Sequence, residues 1–143
     1  MFNHSVATKK DITAIKDLME ISISNMLGKM LTNDQLEAAR DSMGLDTQLI
    51  EDKSYFLVRK GSILVGSGGY SYRKTLFGGN HTPNRSNDLL IPSRDPAKVR
   101  AMYTHPDWTR QGVGSYVLDL AEENVKNLGF QRVELMATVS GIL

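Results

Sequence analysis

At 143 residues, 41% hydrophobic and 23% charged, the chain has the size and composition of one soluble globular domain, expected to span residues 1–143 around a sizeable core. A formal net charge of +1 gives no strong pull toward nucleic acid or an anionic membrane, and no apolar run approaches the roughly 20 residues of a membrane span. The absence of cysteine excludes disulfides, thiolate metal sites and a cysteine nucleophile; Met1 to Val6 lacks the basic region and apolar core of a secretory signal, which fits a cytoplasmic protein.

In chain order, His4 to Thr8 is a short strand candidate. Thr8 or Asp11 then caps a helix in which Ile12, Ile15, Leu18, Met19, Ile23, Met26 and Leu27 recur at helical spacing, ending near Gly28. Thr32, followed by Gln35, forms a capping-box pattern for a second helix with Leu36, Ala39 and Met43 on one face and Gly44 as its stop. Gly44 to Glu51 reads as a connector. Ser54-Tyr55-Phe56-Leu57-Val58-Arg59 has the continuous apolar character of a buried strand; Lys60-Gly61 is a turn signal, and Ser62 to Tyr72 is the hairpin partner. Gly66, Gly68 and Gly69 weaken that partner strand. They leave two readings open: a bulged, twisted strand, or a close approach by a ligand or another chain.

Arg73 to Ala97 is a long polar excursion with Pro83, Pro92, Pro96 and Gly78-Gly79-Asn80. Phe77, Leu89, Leu90 and Ile91 are the apolar residues expected to pin it down. Lys98 to Thr104 is a fourth strand. A helix from about Val113 to Leu128 carries Val113, Val117, Leu120, Ala121 and Leu128 on one stripe, opposite Asp119, Glu122, Glu123 and Lys126, with Gly129 as its stop. Gln131 to Val139 is a fifth strand. The fourth and fifth strands then flank this helix as a β-α-β unit.

The chemistry concentrates between that fourth strand and its helix, in His105-Pro106-Asp107-Trp108-Thr109-Arg110-Gln111-Gly112-Val113-Gly114-Ser115. A strand that turns through glycines into a helix leaves free backbone N–H groups and the positive end of the helix dipole at the turn, an arrangement that suits a phosphate. Gly112 and Gly114 lack a Cβ, so an anion can come close to the backbone. The pattern is neither a dinucleotide fingerprint, which wants a third glycine where Val117 stands, nor a nucleoside-triphosphate loop, which wants Gly-Lys-Ser/Thr. His4, His81 and His105 show no metal-ligand spacing, so no metal site is expected.

Thr109-Arg110-Gln111-Gly112-Val113-Gly114 resembles the pyrophosphate loop of the GNAT N-acetyltransferase superfamily, Gln/Arg-x-x-Gly-x-Gly/Ala. The preceding His105-Pro106-Asp107-Trp108 and the downstream Gly129-Phe130 are also similar to that family. Thr109 departs from the family's Gln/Arg, which removes a side-chain contact from a site made mostly of backbone amides. The resemblance implies an α/β (α+β) acyl-CoA N-acyltransferase fold: a central, mostly antiparallel sheet with a β-α-β pyrophosphate-binding unit. It implies direct acetyl transfer from acetyl-coenzyme A to a primary amine of a small molecule or peptide. The implied cofactor-binding residues are Met102, Tyr103 and Thr104, along the pantetheine arm, and Thr109, Arg110, Gln111, Gly112, Val113, Gly114 and Ser115, around the pyrophosphate. A backbone N–H of the Met102–Thr104 segment would stabilise the oxyanion, and Arg110 would add a charge-assisted bond to a phosphate. The candidates for proton transfer are Tyr70, Tyr72, His81 and Tyr103, with Gly68 to Tyr72 beside the acceptor site.

In that family a further helix and two strands follow the fifth strand. The chain ending at Leu143 is therefore expected to lack the segment that usually carries a tyrosine acid and the far wall of the thioester cleft. Truncation, completion by a second copy in a homodimer, and a degenerate relative are the three explanations carried. The alternatives to catalysis are a binding module that holds acetyl-coenzyme A or coenzyme A without transfer, and an interaction protein that uses the fifth-strand edge.

Overall fold

Tyr55, Phe56, Leu57 and Val58 are all buried, and they alternate between two sides of one sheet. This is why the run reads as continuously apolar: a strand covered on both faces needs no polar side. The computed structural model describes residues 1–27, 32, 47–73 and 89–135. Its strands are β1 (Asn3–Val6), β2 (Tyr55–Lys60), β3 (Ile63–Ser71), β4 (Ala97–Thr104) and β5 (Val133–Leu135), lying side by side in that order. The first four pair antiparallel; β5 runs parallel to β4, with Ala97 opposite Val133 and Val99 opposite Leu135. This is a mixed α/β sheet, mostly antiparallel, as the family resemblance implies.

Helix α1 (Ile12–Ser22) covers one face. It is entered through a 3-10 turn, Lys9–Asp11, and runs on into a π-helical turn, Ile23–Leu27. The Thr8–Asp11 capping box is formed: the Thr8 N–H donates to the Asp11 carboxylate at 2.9 Å. Ile15, Leu18 and Met19 of α1 pack with Tyr55, Leu57 and Tyr103, joined by Leu49 and Ile50. Those last two lie on helix α2 (Thr47–Glu51), so the segment read as a connector contains one helical turn. Burying each such side chain is worth about 1.5–3 kcal/mol.

Helix α3 (Val113–Asn127) covers the other face with Val113, Val117, Ala121 and Val125. Here the expected stripe needs correcting. Val125 replaces Leu128, which is 48% exposed, because the helix has ended before Leu128 is reached. Gly129, at φ 96°, turns the chain back; the Phe130 N–H donates to the Val125 carbonyl and the Gly129 N–H to that of Lys126. These two bonds make a Schellman ending, and Phe130 packs with Val125 in the core as that motif favours.

Leu89 and Ile91 do not pin the excursion after β3: both are exposed. Among the described residues the excursion is held by Leu90, partly buried in the cluster of Phe56 and Tyr70, and by backbone contacts: the Leu90 N–H donates to the Tyr72 carbonyl at 2.7 Å, next to a bridge between Arg73 and Leu89. The helix expected from Thr32 to Gly44, Phe77 and His81, and the chain beyond Leu135 fall outside the described residues, Thr32 excepted. No helix among the described residues is long and apolar enough to cross a membrane.

Candidate functional site

The turn from β4 into α3 is built from its own side chains. Its entry is tied to β3 by the His105 N–H on the Val65 carbonyl at 2.8 Å. His105 Nδ1 accepts the Asp107 N–H, which makes this histidine a turn former, capping the short 3-10 segment Pro106–Trp108. Thr109 Oγ1 donates to the Pro106 carbonyl and Gln111 Nε2 to the Asp107 carbonyl, so both side chains are engaged within the loop. Arg110 sits at φ 60° and Gly112, the residue before the helix, at φ 90°. The Tyr116 N–H bonds the Gly112 carbonyl. The amides of Val113, Gly114 and Ser115 precede that bond, in the part of a helix whose donors have no intrahelical acceptor. A β-carbon added at Gly112 or Gly114 would meet nothing within 4 Å. The donors lie at the positive end of a 15-residue helix, beside two glycines whose β-carbon positions are uncrowded, with Arg110 exposed next to them. The arrangement suits a phosphate or pyrophosphate.

The glycines of β3 do a different job. A β-carbon on Gly66 would collide with the Val113 side chain; one on Gly68 would lie 2.6 Å from Val117 Cγ1 and 2.9 Å from Met102 Cγ; one on Gly69 would strike the Ser54 carbonyl. Gly66 and Gly68 let α3 settle onto the sheet, which sets where its N-terminus points.

Opposite them β4 is irregular. Gly66 pairs with Thr104 and Ser67 with Tyr103, but Gly69 pairs with Arg100, so two steps along β3 face three along β4. The extra residue lies at the Ala101–Met102 bulge, and Ala101 takes φ 57°, a left-handed conformation uncommon for alanine. The bulge changes which side chains face which layer: Ala97, Val99 and Met102 pack on the α3 side, Ala101 and Tyr103 on the α1 side. Met102 closes the bulge and Tyr103 and Thr104 follow it, all beyond the described pairing of β4 with β5.

The tyrosine candidates are not brought into one cluster. Tyr70 lies between Phe56 and Tyr72, with tilted rings at centroid distances of 6.2 and 6.4 Å, on the α3 side. Tyr103 is buried on the opposite side among Ile15, Leu18 and Leu57. Burial pushes the Tyr103 hydroxyl up to about 12. It also raises Tyr70, with Tyr72 and Asp52 adding to the effect, and raises Tyr72, with Asp52 adding to it. The raised values favour the protonated phenols. Asp52 is held by Arg73 through two bonds of 2.8 Å. Burial opposes ionisation of Asp52, but the hydrogen bonds from Arg73 and Gln48 outweigh it and lower its pKa, while Asp52 raises that of Arg73.

Three features near the turn have no local sequence signal. Lys60 Nζ lies 5.7 Å from the Trp108 ring and 5.8 Å from that of Phe2, and His4 Nδ1 shares a 2.9 Å hydrogen bond with the Tyr116 hydroxyl. The third is the Ala101 bulge. Among the described residues no group of three or more His, Asp or Glu is placed to hold a metal ion.

Residues 21–141 match the sequence family described as acetyltransferase (GNAT) family. A search of curated proteins finds no match. Solved structures do share the fold. A PaiA N-acetyltransferase from Thermoplasma acidophilum in complex with coenzyme A superposes with a TM-score of 0.66 at 13% identity, over 97% of this chain and 80% of the other. A GNAT family acetyltransferase from Brucella melitensis in complex with acetyl-CoA gives 0.60 at 12% identity, over 97% and 77%. AAC(6')-Iy, in complex with a bisubstrate analogue, CoA-S-monomethyl-acetylneamine, gives 0.59 at 10% identity, over 97% and 81%.

Proposed function

This chain belongs to the acetyltransferase (GNAT) family, and from that premise we propose that it transfers the acetyl group of acetyl-coenzyme A directly to a primary amine of a small molecule or peptide. The observation that carries the reading is the left-handed Gly112 start of α3, with open space beside Gly112 and Gly114. A pyrophosphate needs backbone donors without side chains in the way, and this turn offers them. The structures that share the fold support it, since they are complexes with coenzyme A, acetyl-CoA and a bisubstrate analogue.

In this reading the pyrophosphate rests on amides between Arg110 and Ser115, with the Arg110 guanidinium adding a charge-assisted bond. The side chains of Thr109 and Gln111 hold the loop's own carbonyls, so these two residues shape the cradle. The pantetheine arm runs along Met102, Tyr103 and Thr104. Acetyl-coenzyme A supplies the thioester; the amine nitrogen bonds to the carbonyl carbon, the carbon–sulfur bond breaks, and the proton lost by the amine passes through ordered water to the departing thiolate. A backbone N–H of the Met102–Thr104 segment stabilises the carbonyl oxygen as it gains negative charge.

The test is thermal unfolding of the chain with and without acetyl-coenzyme A, followed by thiol release from acetyl-coenzyme A over a panel of primary amines. Ligand at about 100 times its dissociation constant adds about 2.7 kcal/mol of stability. No stabilisation would remove the proposal. Stabilisation without amine-dependent thiol release would reduce it to a binding module.

A further inference from the structure

The Tyr55 hydroxyl lies at the bulge of β4. It donates to the Ala101 carbonyl at 3.1 Å and shares a 2.9 Å bond with Ser67 Oγ. Tyr55 and Ser67 are almost completely buried, at 1% exposure each. A phenol has one proton to give. With that proton on the Ala101 carbonyl, the Ser67 hydroxyl is the donor to Tyr55 Oη. The chain of bonds therefore has a direction, from Ser67 on β3 through Tyr55 on β2 to the carbonyl on β4.

Its end point is a residue that needs holding. Ala101 at φ 57° bears the steric cost of an L-residue in the left-handed region. The Ala101 carbonyl belongs to the same planar trans peptide as the Met102 N–H, and the two point in opposite directions. Fixing the carbonyl on Tyr55 therefore fixes the direction of the Met102 N–H and the backbone that follows it. The side chains agree: Ala101 and Tyr103 pack on the α1 side with Tyr55, and Met102 on the α3 side.

We propose that Tyr55, supported by Ser67, is a positioning residue for acetyl transfer: its hydroxyl locks the Ala101–Met102 peptide so that the Met102–Thr104 backbone donors are aimed at the thioester oxygen. This rests on the function proposed above. The effect is on alignment, so it falls on the bound carbonyl and leaves binding of the pyrophosphate end alone.

The test uses acetyl-coenzyme A labelled with carbon-13 at the carbonyl. In the wild type a backbone donor moves the bound carbonyl resonance downfield of the free ligand. In Tyr55→Phe, which keeps the ring and removes the hydroxyl, that displacement is lost while the affinity for unacetylated coenzyme A stays within about threefold, a difference below 1 kcal/mol. Ser67→Ala gives a smaller change in the same direction. In Tyr55→Phe/Ala101→Gly the displacement returns, because glycine takes the left-handed conformation without cost. A merely structural role for Tyr55 predicts no such rescue. An unchanged carbonyl resonance in Tyr55→Phe, or loss of coenzyme A affinity in proportion to lost stability, overturns the positioning role. Should Tyr55→Phe fold poorly, the Ser67→Ala and Ala101→Gly spectra decide the same point. Failure of the wild type to bind coenzyme A at all overturns the underlying function instead, so the two failures are told apart.

Discussion

Gly68 faces Val117 with no room between them for a β-carbon, which would lie 2.6 Å from Val117 Cγ1. Helix α3 thus rests on the bare backbone of β3, and the position of its N-terminus depends on that seat. Gly68→Ala is expected to lower stability by about 1–3 kcal/mol through overpacking. Val117→Ala in the same chain should return part of that loss, since it removes the methyl groups that collide. Urea unfolding of the two single variants and the double one measures the coupling; purely additive losses would show that the contact is not the cause.

This seat also shows what the sequence can and cannot say. Three glycines in a nine-residue strand are visible to any reader, but their cause is not. A bulge, a ligand and a packed helix all predict glycine, and only the placement of Val113 and Val117 chooses the helix for Gly66 and Gly68. The legible parts rest on local rules: the buried β2, a helix cap at Thr8, one of the two candidates there, the Gly129 stop and the glycine turn before α3. The stripe of α3 stops short of Leu128 because that residue lies past the last helical turn, where spacing no longer determines direction. The Ala101 bulge was invisible because alanine does not favour φ 57°; contacts with Tyr55 impose it from another strand. The expected site was likewise read from local pattern, which is why its backbone turn was legible. The distribution of Tyr70 and Tyr103 over opposite faces was not.

Asp52 and Arg73 make a largely buried, two-bonded ion pair, with side-chain exposures of 4% and 21%. The Asp52 pKa is lower in the folded chain, so its contribution is complete above the unfolded carboxylate value, about 3.9, and is lost as pH falls through the lower folded value. Asp52→Asn is expected to cost about 2 kcal/mol near neutral pH, between the ~1 of an exposed pair and the ~3–5 of breaking a buried one. It should also flatten the acid limb of stability against pH. Denaturant midpoints from neutral to strongly acid pH check both; a parallel acid limb would show that Asp52 is not the titrating group.

Tyr103 gives the opposite sign. Its hydroxyl is raised in the folded chain to about 12, from an ordinary value of 10.0. Stability from keeping it neutral is full below the unfolded value and is lost as pH rises through the folded one, on the order of 2–3 kcal/mol over that window. Tyr103→Phe should therefore resist alkaline unfolding better than the wild type, whatever it costs at neutral pH. An identical alkaline midpoint would count against burial of the hydroxyl.

Gly114 and Gly112 separate binding from folding. Both have open space where a side chain would go, but they differ in backbone: Gly112 is at φ 90°, while Gly114 lies within α3. Leucine at Gly112 is strained and should cost about 1–2 kcal/mol of stability. At Gly114 it replaces a poor helix former, and leucine is favoured there by up to about 0.8 kcal/mol. Gly114→Leu should then melt no lower than the wild type in the absence of ligand, yet place its side chain where a pyrophosphate must approach. The stabilisation given by acetyl-coenzyme A should fall to near zero in both variants, while their ligand-free melting temperatures move in opposite directions. That divergence removes the usual ambiguity of a loop substitution, in which lost binding merely reports lost structure. A Gly114→Leu chain that keeps the full ligand-dependent shift would mean that the amides at the start of α3 do not carry the phosphate.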